Sequence, residues 1–161
     1  MNFSHNKHLT KELYRKHGIP TPAHAVFEPG ATSSDFTKAF RRLLLPVIVK
    51  PATGVHGIGV RLAHTFEELG ELVADCFRYG SKVIVEEYVS GTVASVGVVD
   101  NAKGERFYAL VPAHLETHYR RVRPRPEENR KMEEFAKKAH ETLGLRHYSA
   151  SDFVITPRGK I

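Results

Sequence analysis

Leu45-Pro46-Val47-Ile48-Val49-Lys50-Pro51, followed by Ala52-Thr53-Gly54-Val55-His56-Gly57-Ile58-Gly59, is the stretch on which the reading of this chain turns. Val47-Ile48-Val49 is short and β-branched, which predicts a buried strand. It delivers a lysine directly to a glycine-rich loop. Glycines let backbone N–H groups approach phosphate oxygens, and an ammonium on a rigid strand supplies charge. No helix follows at once and no Lys-Ser/Thr pair closes the loop, so this is neither a P-loop nor the dinucleotide fingerprint. The plain alternative is a glycine-rich hairpin turn, with Val60-Arg61-Leu62 as the returning strand.

On either side of this stretch the pattern alternates between helices and short strands. Leu9, Leu13 and Tyr14 predict a first helix ended by Gly18 and Pro20. Ala25-Val26-Phe27 predicts a strand. Ser33 or Ser34 is expected to cap a second helix carrying Phe36, Ala39, Phe40, Leu43 and Leu44, ended by Pro46. Thr65 and Glu68 form a capping box for a third helix, whose stripe is Phe66, Leu69, Val73, Cys76 and Phe77. Strands are expected over Lys82 to Val89, Thr92 to Val99 and Glu105 to Val111. A polar loop follows from Pro112 to Pro126, then a helix from Glu127 to Leu143 and a strand from Tyr148 to Ile155. Helices mixed with antiparallel strands indicate an α+β fold.

Size and composition narrow the function classes. The 161 residues are 41% hydrophobic and 26% charged, which suits a packed domain and excludes disordered and collagenous readings. Every apolar run is too short for a bilayer span. Cys76 is the single cysteine, so there is no disulfide framework, and a reducing, cytoplasmic setting is expected. No leader pattern opens the chain. The net charge of +6, with Arg120, Arg121, Arg123 and Arg125 bunched together, favours an anionic partner. A nucleotide's phosphates satisfy that as well as nucleic acid does, and no aromatic ladder accompanies the arginines.

Three further constellations are candidates for chemistry. In Glu86-Glu87-Tyr88-Val89 adjacent residues face opposite sides of a strand, so one glutamate can face inward. An inward carboxylate, with the backbone at Glu87 and Val89, suits an adenine edge; the alternative is a solvated strand end. Asp152 sits inside a predicted strand, where a buried carboxylate needs a cation or several donors. Magnesium through one carboxylate and phosphate oxygens would satisfy it, as would an ordinary ion pair. His114 and His118 lie in a non-helical loop without a cysteine nearby, which disfavours a metal site there.

Taken in order, these pieces resemble the ATP-grasp superfamily, and most closely the D-alanine–D-alanine ligases. Asn6-Lys7-His8-Leu9-Thr10-Lys11 leading to Gly18-Ile19-Pro20-Thr21-Pro22 is similar to the family's opening helix. Leu45 to Pro51 is similar to the strand with its ATP-binding lysine, and Val83 to Gly91 to its adenine-binding segment. The resemblance implies an ATP-grasp fold of antiparallel sheets with packed helices, in which two small lobes clasp a nucleotide. Its implied division is 1–45 as a helical linking part, 46–91 as the small lobe, and 92–161 as the start of the larger lobe. It further implies ATP-binding roles for Lys7, Lys50, Gly54, His56, Gly57, Glu86, Glu87, Tyr88 and Val89, with Asp152 as the first magnesium carboxylate. Manganese would be a substitute ion. The implied reaction forms a C–N bond: ATP phosphorylates a carboxylate and an amine, D-alanine by family, attacks the acyl phosphate. The setting would be peptidoglycan precursor synthesis in the cytoplasm, with no membrane or nucleic-acid partner. A homodimer of the whole protein is compatible with it.

The departures from the family pattern are specific. Val93 stands where the family often has a ribose-binding glutamate, and Ala150 where it has an oxyanion-stabilising arginine. No lysine lies between Val111 and Pro126; Arg120 or Arg121 would have to substitute, without the same reach. His56-Gly57 replaces the expected serines. The family's later magnesium ligands, a Glu and an Asn, would fall beyond Ile161, so the chain reads as a fragment that is weakly active or inactive alone. The alternatives are an ATP-grasp ligase for another carboxylate and amine, and a non-catalytic nucleotide-binding module. A nucleic-acid-binding module comes last.

Overall fold

The computed structural model describes residues 6–54, 57–114 and 125–161. It divides into two compact units: the described residues of Met1–Glu12 with Thr21–Tyr88, and Leu13–Pro20 with Val89–Ile161.

Helix α1 (Lys7–Lys16) gives its first residues to the first unit and its last to the second. Asn6 caps it, Oδ1 accepting from the N–H of His8 at 3.1 Å and of Leu9 at 3.2 Å. Gly18, at φ 65°, ends it. Strand β1 (His24–Phe27), helix α2 (Ser33–Phe40), strands β2 (Val47–Pro51) and β3 (Arg61–Ala63), helix α3 (Phe66–Cys76) and strand β4 (Val83–Glu87) complete the first unit. The sheet order is β1-β4-β2-β3, antiparallel throughout.

Alternation gives this sheet two different faces. Val47 and Val49 of β2, Val83 and Val85 of β4 and Phe27 of β1 pack with Leu43, Ala39, Leu69, Val73 and Cys76 into one core. The other face carries His24, Glu86 and Ile48 in one cross-strand row, and Ile84 and Lys50 in the next. The strand and the returning strand expected around the glycine-rich loop are both present, paired Val47 with Ala63 and Val49 with Arg61.

Local details of α2 and α3 differ from expectation. The residue capping α2 is Thr32, not Ser33 or Ser34; the Asp35 carboxylate accepts from the Thr32 N–H at 2.9 Å and from its hydroxyl at 2.8 Å. That helix stops at Phe40, so Leu43 reaches the core from a turn while Leu44 is exposed. Phe66, expected on the buried stripe of α3, is exposed and stands edge-on to Phe40. The Thr65–Glu68 capping box is present: the Glu68 N–H donates to Thr65 Oγ1 at 3.2 Å.

The second unit is built on strand β5 (Thr92–Ala102). Strand β6 (Glu105–Ala109) and the short β7 (Ala113–His114) share one of its edges, and β8 (Tyr148–Ile155) covers the other. Helix α4 (Pro126–Thr142) lays Met132 and Ala136 on Ala94, Val96, Val98 and Ile155. Pro126 occupies its first turn, where the missing N–H costs nothing.

Gly91, just before β5, has no room for a side chain. A Cβ there would lie 2.3 Å from the carbonyl oxygen of Ile155 and 2.8 Å from Val154 Cγ1. Since the nearest obstacle is backbone, Gly91→Ala is expected to destabilise the second unit by about 2 kcal/mol. Urea unfolding followed by circular dichroism would check this, and an unchanged midpoint would contradict it.

Candidate functional site

The face of the first sheet opposite its core is where charge is buried. Glu86 lies on β4 with only 8% of its surface exposed. Its Oε2 is 2.8 Å from Lys11 Nζ, reaching over from α1, and its Oε1 accepts a short hydrogen bond from Lys50 Nζ on β2. Lys11 also donates to Thr21 Oγ1 at 2.8 Å. Lys7, one turn earlier on the helix, donates to the carbonyls of Pro51 at 3.3 Å, Thr53 at 3.2 Å and Gly54 at 2.8 Å. Its own N–H donates to the Ala52 carbonyl at 2.8 Å. The start of α1 therefore pins the beginning of the glycine-rich loop.

Two ammonium groups contact one carboxylate and a third, that of Lys7, lies near enough to feel both Lys50 and Glu86, so the cluster carries surplus positive charge. The titration directions agree with that picture. Burial alone would push Glu86 up, but Lys50 and then Lys11 outweigh it and hold the carboxyl below its ordinary range. Burial pushes Lys11 down, with Glu86 opposing. Lys7 is lowered by burial and then by the nearby Lys50 charge. Two lysines disfavoured as cations beside a third are an arrangement that an anion would stabilise.

The other expected residues fall as follows. Gly54 at φ 95° and Gly57 at φ 69° are exposed and left-handed, conformations that suit glycine. His56 lies outside the described residues, as do Arg120, Arg121 and His118. Glu87 is exposed, and its N–H is spent on the Ala23 carbonyl at 2.9 Å. Tyr88 is exposed and its N–H donates to the Pro46 carbonyl at 3.3 Å. Val89 is half-buried and opens the second unit.

Asp152 requires a correction. A buried carboxylate is the expectation for a mid-strand aspartate, yet Asp152 is exposed. On β8 the residues turned towards α4 are Ser149, Ser151 and Phe153; Tyr148, Ala150 and Asp152 occupy the opposite, exposed positions. Asp152 pairs with Ser95 across the ladder and Ala150 with Gly97. The carboxylate therefore needs no cation for its burial. It offers one oxygen donor, compatible with magnesium only where phosphate oxygens and water supply the rest.

Lys11 is the residue that sequence reasoning missed. Its spacing of one turn from Lys7 reads as a solvated helix face, and only the buried partner on β4 makes it a site residue. An open concavity of about 730 Å³ also lies along β1 and α2, lined by residues such as Phe27, Asp35 and Arg41; it includes neither Lys50 nor Glu86. Among the described residues no helix is long and apolar enough to cross a membrane.

Comparison with known proteins identifies the family and the fold. A family model described as D-ala D-ala ligase C-terminus matches residues 13–161. The D-alanine–D-alanine ligase of Leptospira biflexa is 29% identical over 170 residues, covering 94% of this chain and 49% of its own length. That of Mycobacterium ulcerans is 38% identical over 99 residues, covering 62% of this chain and 26% of its own. In fold, the VanG D-Ala:D-Ser ligase of Enterococcus faecalis superimposes with a TM-score of 0.87 at 20% identity, over 99% of this chain and 50% of its own. The D-alanine–D-alanine ligase of Bacillus anthracis, complexed with ATP, gives 0.80 at 18% identity, over 96% of this chain and 52% of its own. The chain spans about half the length of the curated relatives it matches. It belongs to the D-alanine–D-alanine ligase C-terminal family and has the ATP-grasp fold.

Proposed function

We propose that this chain is an ATP-binding part of a D-alanine–D-alanine ligase-like protein. The observation that carries the reading is the pair of ammonium groups on Glu86 together with a third, Lys7, held on the first residues of a glycine-rich loop. Lys50 and Lys7 would meet the phosphates, with Gly54 and Gly57 giving the loop backbone access to them and His56 belonging to the same loop. Glu86 fixes Lys50 in place, and each of its oxygens keeps a lone pair for an adenine amino group. The Glu87 N–H is already used, so its carbonyl is the group left for the base; Tyr88 and Val89 continue that segment. Asp152 would supply one carboxylate to magnesium or manganese. When bound, the ion neutralises charge on the transferring phosphoryl group.

For the whole protein we propose ATP-dependent ligation of a carboxylate to an amine, with D-alanine as substrate, in the cytoplasm; membership of the ligase family supports this reading. Arg120 and Arg121 are the cations available in place of the family's missing lysine. A second reading is a non-catalytic nucleotide-binding module. Ala150 favours it, because an exposed methyl occupies the position of the oxyanion arginine beside Asp152. Loss of one such donor typically costs about 10²- to 10³-fold in rate.

Calorimetric titration with ATP and ADP, with and without magnesium, tests the binding reading. Micromolar affinity is expected for the chain, weakened at least about tenfold in Lys50→Ala by loss of a charge-assisted contact. Absence of binding by the folded chain, or binding unchanged in Lys50→Ala, would overturn the assignment. Turnover of D-alanine with ATP would separate the ligase reading from the non-catalytic one.

A further inference from the structure

We infer that His8, Glu12 and His24 form a site for one divalent transition metal ion, zinc foremost. His8 and Glu12 stand four residues apart on α1 and so share a face of the helix. His24 opens β1 with its side chain 6% exposed, on the sheet face opposite the hydrophobic core and directly across from Glu86. All three residues belong to the first unit. One donor atom from each lies within 4.8 Å of the others.

The geometry is close to what zinc requires. Zinc–nitrogen and zinc–oxygen bonds of about 2.0–2.2 Å place tetrahedral donors about 3.3 Å apart. His24 Nε2 is already 3.7 Å from Glu12 Oε1. The His8 and His24 rings meet edge-on, with centroids 5.8 Å apart at 67°. Two imidazoles on one tetrahedral ion have centroids about 5 Å apart on the same bond lengths, so side-chain rotations of about 1 Å would close the site. A second observation points the same way: His8 Nδ1 is cut off from water without a hydrogen-bond partner among the described residues. An imidazole nitrogen left in that condition is costly, and coordination at the ring offsets the cost.

The donor set also selects the ion. Two imidazoles and one carboxylate suit zinc, cobalt or nickel, whereas magnesium and calcium prefer all-oxygen shells. Three protein ligands leave a fourth position for water. The plain alternative is that Glu12 and His24 form only an ion pair beside His8, with no affinity for a metal.

Titrating the nucleotide-free chain with Co²⁺, then with Zn²⁺ against a chromogenic chelator, decides between them. One equivalent of cobalt is expected to bind with the intense visible bands of a four-coordinate ion, and zinc to displace it. Excess magnesium is expected to leave the bands unchanged. Glu12→Gln and His8→Gln are each expected to weaken binding at least about 100-fold while the far-ultraviolet spectrum stays native. Zinc is expected to raise the urea midpoint of the parent chain and not that of the two variants. A site that survives in both folded variants belongs to other histidines and overturns the proposal, as does the lack of any stoichiometric binding. No arm of the experiment contains nucleotide, so failure of the ATP reading would leave it intact.

Discussion

Replacing Glu86 by alanine is expected to cost the first unit about 3 kcal/mol of folding free energy, more than the loss of an ordinary strand residue. The reason is what remains after the change. Lys11 and Lys50 approach the same carboxylate, and both side chains are largely buried, at 9% and 18% exposure. Without Glu86 the two ammoniums face each other with no counter-ion and little water. Lys11 retains Thr21 Oγ1 and, at 3.4 Å, the Pro22 carbonyl; neither carries charge. Glu86→Gln should cost nearly as much despite its matched shape, because charge rather than volume is lost. Adding Lys11→Met to Glu86→Leu should recover more than half of the penalty, since removing both members of a buried pair is far cheaper than removing one. Urea unfolding of the parent, Glu86→Leu, Lys11→Met and the double variant supplies the cycle. A Glu86→Ala midpoint equal to that of the parent would show that the cluster is solvated and the argument wrong.

The same cluster predicts an acid signature with a definite sign. Burial raises the Glu86 carboxyl, but Lys50 and Lys11 more than reverse this, so its folded value lies below the ordinary 4.5. A depressed carboxyl adds stability that is fully present above the unfolded value. That stability is lost as pH falls through the folded value. The gap in stability between the parent chain and Glu86→Gln should therefore be constant near neutrality and narrow below about pH 4.5. A gap that widened on acidification would contradict the depressed carboxyl.

Much of this could be seen in the residues, and the failures have identifiable causes. The Thr65–Glu68 box, the strand ending in Lys50 and its return at Arg61–Ala63 depend on near neighbours, which short-range pattern captures. The end of α2 was not legible, because Leu43 repeats the helical spacing while packing into the core from a turn. Asp152 shows how strand parity misleads. The inward positions of β8 include Ser149 and Ser151, so polarity gave no sign that aspartate pointed outward. The role of Lys11 depends on Glu86 far along the chain, and the pairing of His24 with α1 is equally non-local. In both cases a helix surface that looks solvated is covered by a sheet that only the fold brings there.

His140 extends this point, because its spacing on α4 adds a ring to the apolar stripe and its burial is complete. Nδ1 lies 2.8 Å from Ser149 Oγ in a hydrogen bond, and Nε2 lies 2.8 Å from Asp100 Oδ1 at ion-pair distance without hydrogen-bond alignment. Phe107 packs against the ring at 5.1 Å. Asp100 Oδ2 accepts the N–H of His147 at 2.6 Å, a residue held at φ 70°, so the imidazole, the β5 carboxylate and the turn into β8 form one network. His140→Ala should open a cavity and strand two polar partners, costing the second unit about 3–4 kcal/mol. His140→Leu separates the two contributions, because it fills most of the volume and restores neither polar contact. The network account expects leucine to retain at least about 1.5 kcal/mol of the loss. It also expects Asp100→Asn to cost less in the His140→Leu background than in the parent chain. If leucine matched histidine in urea unfolding, packing alone would account for the burial of His140, and Asp100 would owe its place to His147.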